Sequence, residues 1–481
     1  MEISIMKCKL FWLILSIGLF FTTPGFAEHN WTKQIAMFKP MVVNIESSTQ
    51  IPFGTESKGR GKATGFIVDA ERGIIATNQH VTGISPSDVK INFYNGSFTE
   101  AKVLYYDPTH DFGFYKIDPS SIQFQLQAVT LGSGRNLKND DELLLIGNND
   151  SEEYSIKFGY VANLNVIKGQ PYSSYIHTTF DRAGGSSGSP VWNTKGEVVG
   201  IHSRGTDVSS FELPIEYVRE ALKQIQDGTS LQRGYIGVDL DLISIGKAIR
   251  HYNVSEMITS DYDTSFIGIP KVMLVESIIP NTSAEKLLRP GDIIYRLNEQ
   301  LLRDDLYTFD AILNSHVGQS VKLDIYRHGK LLQVETVVED LEKEKIRRFV
   351  RFAGAVFHKI TPPLRGMTGF AENGVYMPYA DQGSSFSQLT KIRRNTPHSF
   401  TSKAIISEIN GQVIHNLDDL VKACLQIKSR QDTHVVVRDF IPIATSNEKS
   451  KIVTINSKYG PLELFELNPQ TLDWDKIKLP K

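Results

Sequence analysis

The sequence predicts a mainly β protein of about three domains, the first of them an all-β double barrel. Length is one reason: 481 residues exceed what a single hydrophobic core organises, and chains of this size divide into units of roughly 100 to 200 residues. Composition is another, since 41% hydrophobic and 22% charged residues are ordinary for a soluble globular chain. The third is spacing. From Met41 to Ile215 short β-rich runs recur between turn residues, a pattern that suits barrel strands.

In chain order, Lys7 and Lys9 precede an apolar run from Leu10 to Phe21, and Pro24-Gly25-Phe26-Ala27 precedes the polar Glu28. About twelve apolar residues are too few to span a bilayer and suit a cleaved signal peptide over residues 1–27; an uncleaved anchor is the competing reading. Cleavage would remove Cys8 and leave Cys424 alone, so no intramolecular disulfide is expected and packing must carry stability. A formal net charge of −2 gives no reason to expect nucleic acid or an anionic membrane as partner. Among 12 histidines no pair stands at metal-ligand spacing beside a second acid or cysteine, and no phosphate-binding glycine loop is present. Neither a metal nor another cofactor is expected.

Residues 28–228 read as the first unit. Trp31, Ile35, Met37 and Phe38 lead into a strand, Met41–Ile45, and Ala63–Val68 with Gly73–Thr77 forms a hairpin. Further β-rich runs are Val89–Tyr94, Phe112–Ile117, Leu143–Ile146, Lys157–Val161 and Val198–Ile201. The chemistry centres on Gly184-Gly185-Ser186-Ser187-Gly188-Ser189-Pro190. Serines among glycines mean a loop tight enough to present a hydroxyl while its own N–H groups point at a bound carbonyl oxygen. Ser187 is the candidate nucleophile, and a serine hydroxyl needs a histidine base and a buried carboxylate. His80 closes the apolar run Gly73–Thr77 plus Asn78-Gln79, and Asp111 stands directly before the run Phe112–Tyr115. The chain order His80, Asp111, Ser187 is that of the chymotrypsin-type triad, unlike subtilisins or α/β-hydrolases.

In these roles His80 takes the Ser187 proton and returns it to the leaving amine, while Asp111 fixes the tautomer and the N–H groups of Gly185 and Ser187 form the oxyanion hole. Each residue alone reads equally well as a surface serine or a satisfied histidine; the three in order do not. Asp107 is the alternative acid, and His110 is expected at the surface.

Three motifs carry a resemblance: Thr77-Asn78-Gln79-His80-Val81, Asp107 to Asp111, and Gly185-Ser186-Ser187-Gly188-Ser189-Pro190. The sequence resembles the HtrA/Deg family of serine proteases, in which the last motif reads Gly-Asn-Ser-Gly-Gly-Pro; Ser186 and Ser189 are the departures. The resemblance implies a chymotrypsin-like double β-barrel protease followed by two α+β PDZ domains. It further implies an ATP-independent endopeptidase that cleaves unfolded or damaged proteins in the periplasm, assembled as a homotrimer or multiples. Phe211–Ile215 and Tyr217–Ile225 resemble the last strand and closing helix of such a protease. The aromatic segment from Trp31 builds the trimer in relatives; a helix packed on its own barrel is the equal alternative.

In chymotrypsin-type proteases the residues five and six before the nucleophile line the specificity pocket, here Arg182 and Asp181, and His202 stands on the opposite wall. Glutamyl endopeptidases share the Ser-Gly-Ser-Pro-Val and Gly-Ile-His patterns and hold an acidic side chain with that histidine. The expectation is a polar pocket in which His202 and Arg182 admit acidic or amide side chains. In the competing reading Asp181 and Arg182 neutralise one another or turn outward, leaving a small apolar pocket.

Residues 229–342 resemble a PDZ domain. Tyr235-Ile236-Gly237-Val238 is similar to its carboxylate-binding loop, where glycine lets N–H groups converge on a peptide C-terminus; a purely structural glycine is the alternative. Val275–Glu285, Leu288–Ile294, Val321–Tyr326 and Leu331–Val338 complete the pattern. Glu339–Lys345 reads as a solvated linker. Residues 343–481 resemble the second PDZ domain of plant-type Deg proteases through Phe352–Phe357, Thr361–Leu364 and Ile405–Leu420, with a turn at Asn410-Gly411 and a helix starting at Asn416 or Leu417. No carboxylate loop is visible there, which favours packing or assembly. Two other functions stand beside the endopeptidase: a PDZ-based peptide-binding chaperone or scaffold, and a secreted protease with a narrow target.

Overall fold

A computed structural model of the chain describes residues 29–149, 152–168, 172–181, 184–206, 209–261, 270–302, 304–368, 374–389, 392–393, 400–401, 403–440 and 448–480. The expected signal peptide, Cys8 and Arg182 lie outside the described residues.

The first unit begins with α1 (Thr32–Phe38), β1 (Val42–Thr49), β2 (Gly59–Asp69), β3 (Ile74–Thr77), α2 (Gln79–Thr82), β4 (Ser87–Phe93), β5 (Phe98–Tyr106) and β6 (Gly113–Lys116). Its strands close a six-stranded barrel in the order β1-β2-β3-β6-β5-β4. Alternation of side chains across the pleat puts Val43, Ile45, Ile67, Ile75, Ile91 and Tyr115 into one buried cluster. Only glycine fits the β2–β3 turn, because Gly73 has φ +64° and an added Cβ would lie 2.6 Å from the Ile117 carbonyl oxygen.

A second six-stranded sheet comprises β7 (Glu142–Asn149), β8 (Glu152–Lys168), β9 (Ser173–Thr178), β10 (Pro190–Asn193), β11 (Val198–Thr206) and β12 (Ser209–Pro214), followed by α3 (Ile215–Gln226). The strand order is β10-β11-β12-β9-β8-β7, and β10 also pairs with β7. α1 packs on this sheet within the same chain: Phe38 stacks on Trp192 at 4.9 Å and Trp31 Nε1 donates to Glu142 at 2.6 Å.

The third unit holds β13 (Gly234–Tyr235), β14 (Val238–Ser244), α4 (Ile245–Tyr252), β15 (Lys271–Ile278), β16 (Ile293–Leu297), β17 (Gln300–Leu301), α5 (Leu306–Ser315), β18 (Ser320–Arg327), β19 (Lys330–Val337) and β20 (Glu339–Asp340). Its main sheet runs β14-β15-β16-β18-β19, and β13 pairs with β20. The run Glu339–Lys345 is therefore no solvated linker. Leu341 and Glu342 are buried, Lys345 Nζ lies 2.7 Å from Glu342, Tyr105 Oη donates to Glu342 at 3.0 Å, and the Lys345 ammonium sits 3.9 Å from the Tyr105 ring centre. Charges of both signs can be buried where they pair with each other and with a tyrosine from the first unit.

The fourth unit comprises β21 (Arg348–Phe352), β22 (Ala355–Lys359), α6 (Pro362–Thr368), β23 (Val375–Ala380), β24 (Ile392–Arg393), β25 (Phe400–Thr401), β26 (Lys403–Ile409), β27 (Gln412–Val413), α7 (Leu417–Leu425), β28 (Gln431–Phe440), β29 (Glu448–Ile455), β30 (Glu463–Leu467) and β31 (Trp474–Ile477). Asn410 and Gly411 both take positive φ between β26 and β27, the tight hairpin expected of Asn-Gly. Asn416 caps α7 by accepting from the N–H groups of Asp418 at 2.9 Å and Asp419 at 3.1 Å.

Candidate active site

Asp107 shapes the connection from β5 to β6. Its carboxylate accepts from the N–H groups of Thr109 at 2.9 Å and His110 at 2.7 Å, a side-chain turn that sets the backbone directly before Asp111. Asp111 in turn meets α2. His80 Nδ1 lies 2.9 Å from both carboxylate oxygens of Asp111, and the His80 N–H donates to Asp111 at 3.1 Å. Buried Asn78 donates from Nδ2 to the Asp111 carbonyl at 3.0 Å, and the Ser203 hydroxyl donates to the Asp111 carboxylate. Burial pushes the Asp111 carboxyl up, but the His80 charge and the hydrogen bonds from His80 and Ser203 outweigh it and hold the group below its usual range. An ionised Asp111 keeps the proton on Nδ1 and leaves Nε2 as the basic nitrogen.

Ser187 sits half-buried between β9 and β10, on a loop fastened to the first barrel. Thr64 of β2 donates from its N–H to the Ser187 carbonyl at 2.9 Å and from its hydroxyl to the Gly185 carbonyl at 3.0 Å. Gly188 has φ +85°, and an added Cβ would lie 2.1 Å from the Thr64 carbonyl oxygen and 2.2 Å from Thr77 Oγ1. The nucleophile loop thus rests on Thr77, and β3 leads from Thr77 straight into the helix of His80. His80 and Asp111 are in direct contact, and both they and the Ser187 loop lie on the seam between the two sheets: Gly188 N–H donates to the His202 carbonyl at 2.9 Å, next to the Ser203 that donates to Asp111. Among the described residues neither the Gly185 nor the Ser187 N–H donates to a backbone carbonyl.

The unusual Ser189 donates to the Ser186 carbonyl at 2.6 Å and occupies space left open by Gly147, where an added Cβ would come within 1.8 Å of its hydroxyl. Sequence reasoning missed the supports Thr64, Asn78 and Ser203. Asn78 and Ser203 adjoin the motifs of His80 and His202 and could have been questioned there; nothing in the sequence marks Thr64.

His202 is buried on β11, with Nδ1 3.1 Å from both Glu212 and Ser210. Glu212, fully buried, also accepts from Thr178 at 2.8 Å. Asp181, read either as lining the pocket or as turned outward, has a side chain 67% exposed that pairs with Lys157 Nζ at 2.8 Å. The Asp181 carboxylate stays in water while offering a partner to the largely buried Lys157 ammonium. His110 departs from the expected surface position. It is buried, stacks on Tyr217 at 3.9 Å, contacts Ser173 Oγ at 2.8 Å and is driven down to about 3 by burial, so it stays neutral. Asp107 pairs with Arg233 and joins the first unit to the third, while Asp111 alone of the two acids touches His80.

In the Tyr235–Val238 loop, Gly237 has φ +87° and an added Cβ would lie 1.9 Å from Thr282 Oγ1, so packing alone demands glycine. Ile236 and Val238 are buried in one cluster with Leu306, Phe309 and Leu313 of α5 and with Tyr172, which follows β8 in the first unit. Among the described residues no group of three His, Cys, Asp or Glu side chains is placed to hold a metal ion.

Residues 63–201 match the trypsin-like peptidase domain family, residues 234–338 the PDZ domain family and residues 345–430 the PDZ-like domain family. The chain is 28% identical over 471 residues to the pro-apoptotic serine protease NMA111 of Eremothecium gossypii, covering 95% of this chain and 46% of that protein. It is 29% identical over 476 residues to protease Do-like 7 of Arabidopsis thaliana, covering 93% and 41%. The chain thus spans less than half the length of these curated relatives. Among solved structures, the HtrA-type protease AlgW with tripeptide aligns at 21% identity and a TM-score of 0.48 over 65% of this chain and 97% of that one.

Proposed function

The chain carries a trypsin-like serine protease domain followed by PDZ domains and matches the HtrA/Deg family, and from this premise we propose that it is an ATP-independent serine endopeptidase acting on unfolded or damaged polypeptides. The observation that carries the reading is the paired contact of His80 with Asp111 at 2.9 Å, on the seam that the Ser187 loop bridges. Ser187 attacks the scissile carbonyl, His80 Nε2 takes its proton and passes it to the leaving amine, and Asp111 stabilises the imidazolium. The N–H groups of Gly185 and Ser187 receive the charge that develops on the carbonyl oxygen.

The two six-stranded sheets are read as the paired barrels of a chymotrypsin-like fold over residues 28–228, with a PDZ domain over 229–342 and a second PDZ-like domain over 343–481. His202 is read as a wall of the specificity pocket. Peptide C-termini are the proposed ligands of the Tyr235–Val238 loop, export to the periplasm the proposed setting, and a homotrimer or its multiples the proposed assembly.

Incubating the purified chain and its Ser187→Ala form with unfolded casein tests the activity. The unaltered chain should degrade casein without ATP, and Ser187→Ala should lose at least about 10⁴-fold while keeping its fold, as triad nucleophiles do. Turnover by Ser187→Ala near that of the unaltered chain would sink the assignment.

A further inference from the structure

The connection between β1 and β2 carries a fully buried phenylalanine, Phe53, whose partners come mainly from the fourth unit. Its ring lies 5.0 Å from Phe349, 5.4 Å from His358 and 5.4 Å from Trp474. Polar contacts hold the same loop from the same side. The Gly54 N–H donates to His358 Nε2 at 2.9 Å, and the Lys403 ammonium donates to the carbonyls of Gly54 at 2.6 Å and Glu56 at 2.9 Å. His358 Nδ1 lies 2.7 Å from the Lys359 carbonyl, which places the proton on Nδ1 and frees Nε2 to accept.

The other side of this loop grips the exit of α2. Glu56 accepts from the Ile84 N–H at 2.7 Å and from the Ser85 hydroxyl, while the Phe53 N–H donates to Ser85 Oγ at 2.7 Å. Gly83, which ends α2 with φ +65°, leaves room for this carboxylate: an added Cβ would lie 3.1 Å from Glu56 Oε1. α2 is only four residues long, too short to hold its own geometry, so its ends must be fixed from outside. Asp111 and Asn78 fix the entry. Glu56 and Ser85 fix the exit, and Lys403 and Phe349 fix Glu56's loop in turn.

We propose that residues 53–56 link the C-terminal PDZ-like domain to the catalytic base, with Glu56 and Lys403 acting as positioning residues for His80. This rests on the reading of His80 as general base, and a chain that fails to cleave casein at all would overturn that reading before this one. Because a displacement of about 1 Å in a reacting group costs roughly a hundredfold, Glu56→Ala and Lys403→Met in the full chain should lower kcat for a short peptide by roughly tenfold to a hundredfold. KM should stay within about twofold, since neither residue faces substrate. Glu56→Gln, which keeps an oxygen for the Ile84 N–H and can donate to Ser85, should recover most of the loss.

Unchanged kcat in folded Glu56→Ala and Lys403→Met chains overturns the proposal. So does a Glu56→Gln chain as impaired as Glu56→Ala, or kcat and KM worsening together. If a variant fails to fold by thermal unfolding, Ser85→Ala decides, because it removes one hydroxyl from the α2 exit and leaves the interdomain contacts intact. A folded Ser85→Ala chain with full kcat is equally fatal.

Discussion

Asp111 shows how one side chain serves both structure and chemistry. Its carboxylate receives His80 twice, at the ring and at the backbone, and Ser203 once; these interactions hold it ionised despite burial. The sign follows from the lowered value: the stability it contributes is fully present above the unfolded carboxylate value of about 3.9 and is lost as pH falls through the lower folded value. Because that folded value lies below the usual carboxylate range, mild acidification leaves Asp111 ionised. Asp111→Asn should lower kcat by about 10⁴ through the wrong tautomer, and Ser203→Ala, which removes a single support, by roughly tenfold. Steady-state kinetics on one peptide substrate checks both, and an Asp111→Asn chain with near-native kcat would return the acid's role to an open question.

At the scale of elements, α5 presses Asp310 against the first unit, where it accepts from Tyr217 Oη at 3.2 Å and faces His110 Nε2 at 3.4 Å. Burial pushes the Asp310 carboxyl up to about 8, although Arg233 and the Tyr217 hydrogen bond pull the other way, and His110 is neutral. The pair is thus a contact between uncharged groups rather than an ion pair. Since the folded value exceeds the unfolded one, the folded chain holds a proton that the unfolded chain releases between about pH 4 and the folded value. This contribution is fully present below about pH 4 and disappears as pH rises through the folded value, and it amounts to several kcal/mol at most. Asp310→Asn keeps an acceptor for Tyr217 but cannot ionise, so its unfolding free energy should vary less with pH across this window. Denaturant titrations at pH 5 and 8 would show it; equal pH dependence in both chains would contradict the neutral carboxyl.

For the molecule as a whole, the units are joined by side chains that cross between them. Tyr172 lines the same cavity as Tyr235, Val238 and Leu313, so a side chain of the first unit borders the space beside β14 and α5 that an incoming peptide would enter. A peptide with an apolar C-terminal residue and a free carboxylate should bind there, weaken on amidation, and bind more tightly to Tyr172→Ala, from which the bordering ring is gone. Calorimetry giving equal affinity for free and amidated peptides would show that the Tyr235–Val238 loop is no carboxylate site.

Features that depend only on neighbours in the chain are legible in the order of residues. Asn410-Gly411 and Asn416 specify a turn and a cap through their own backbones and side chains, and the order of His80, Asp111 and the Ser187 loop is written in local motifs. Burial was a different matter. Glu339–Lys345 reads as a solvated run because charge is normally left in water, and His110 reads as a surface residue beside an acid; Tyr105, Asp310 and Tyr217 reverse both. For Asp181 the sequence left a pocket-lining and an outward-turned reading open, and only the fold shows it exposed and paired with Lys157 on a neighbouring strand. Only the tertiary structure brings Lys403 and Phe349 to a loop some 300 residues earlier. No periodicity records such a pairing, because the cost of burying a charge or a ring is met by partners that only the folded chain brings near.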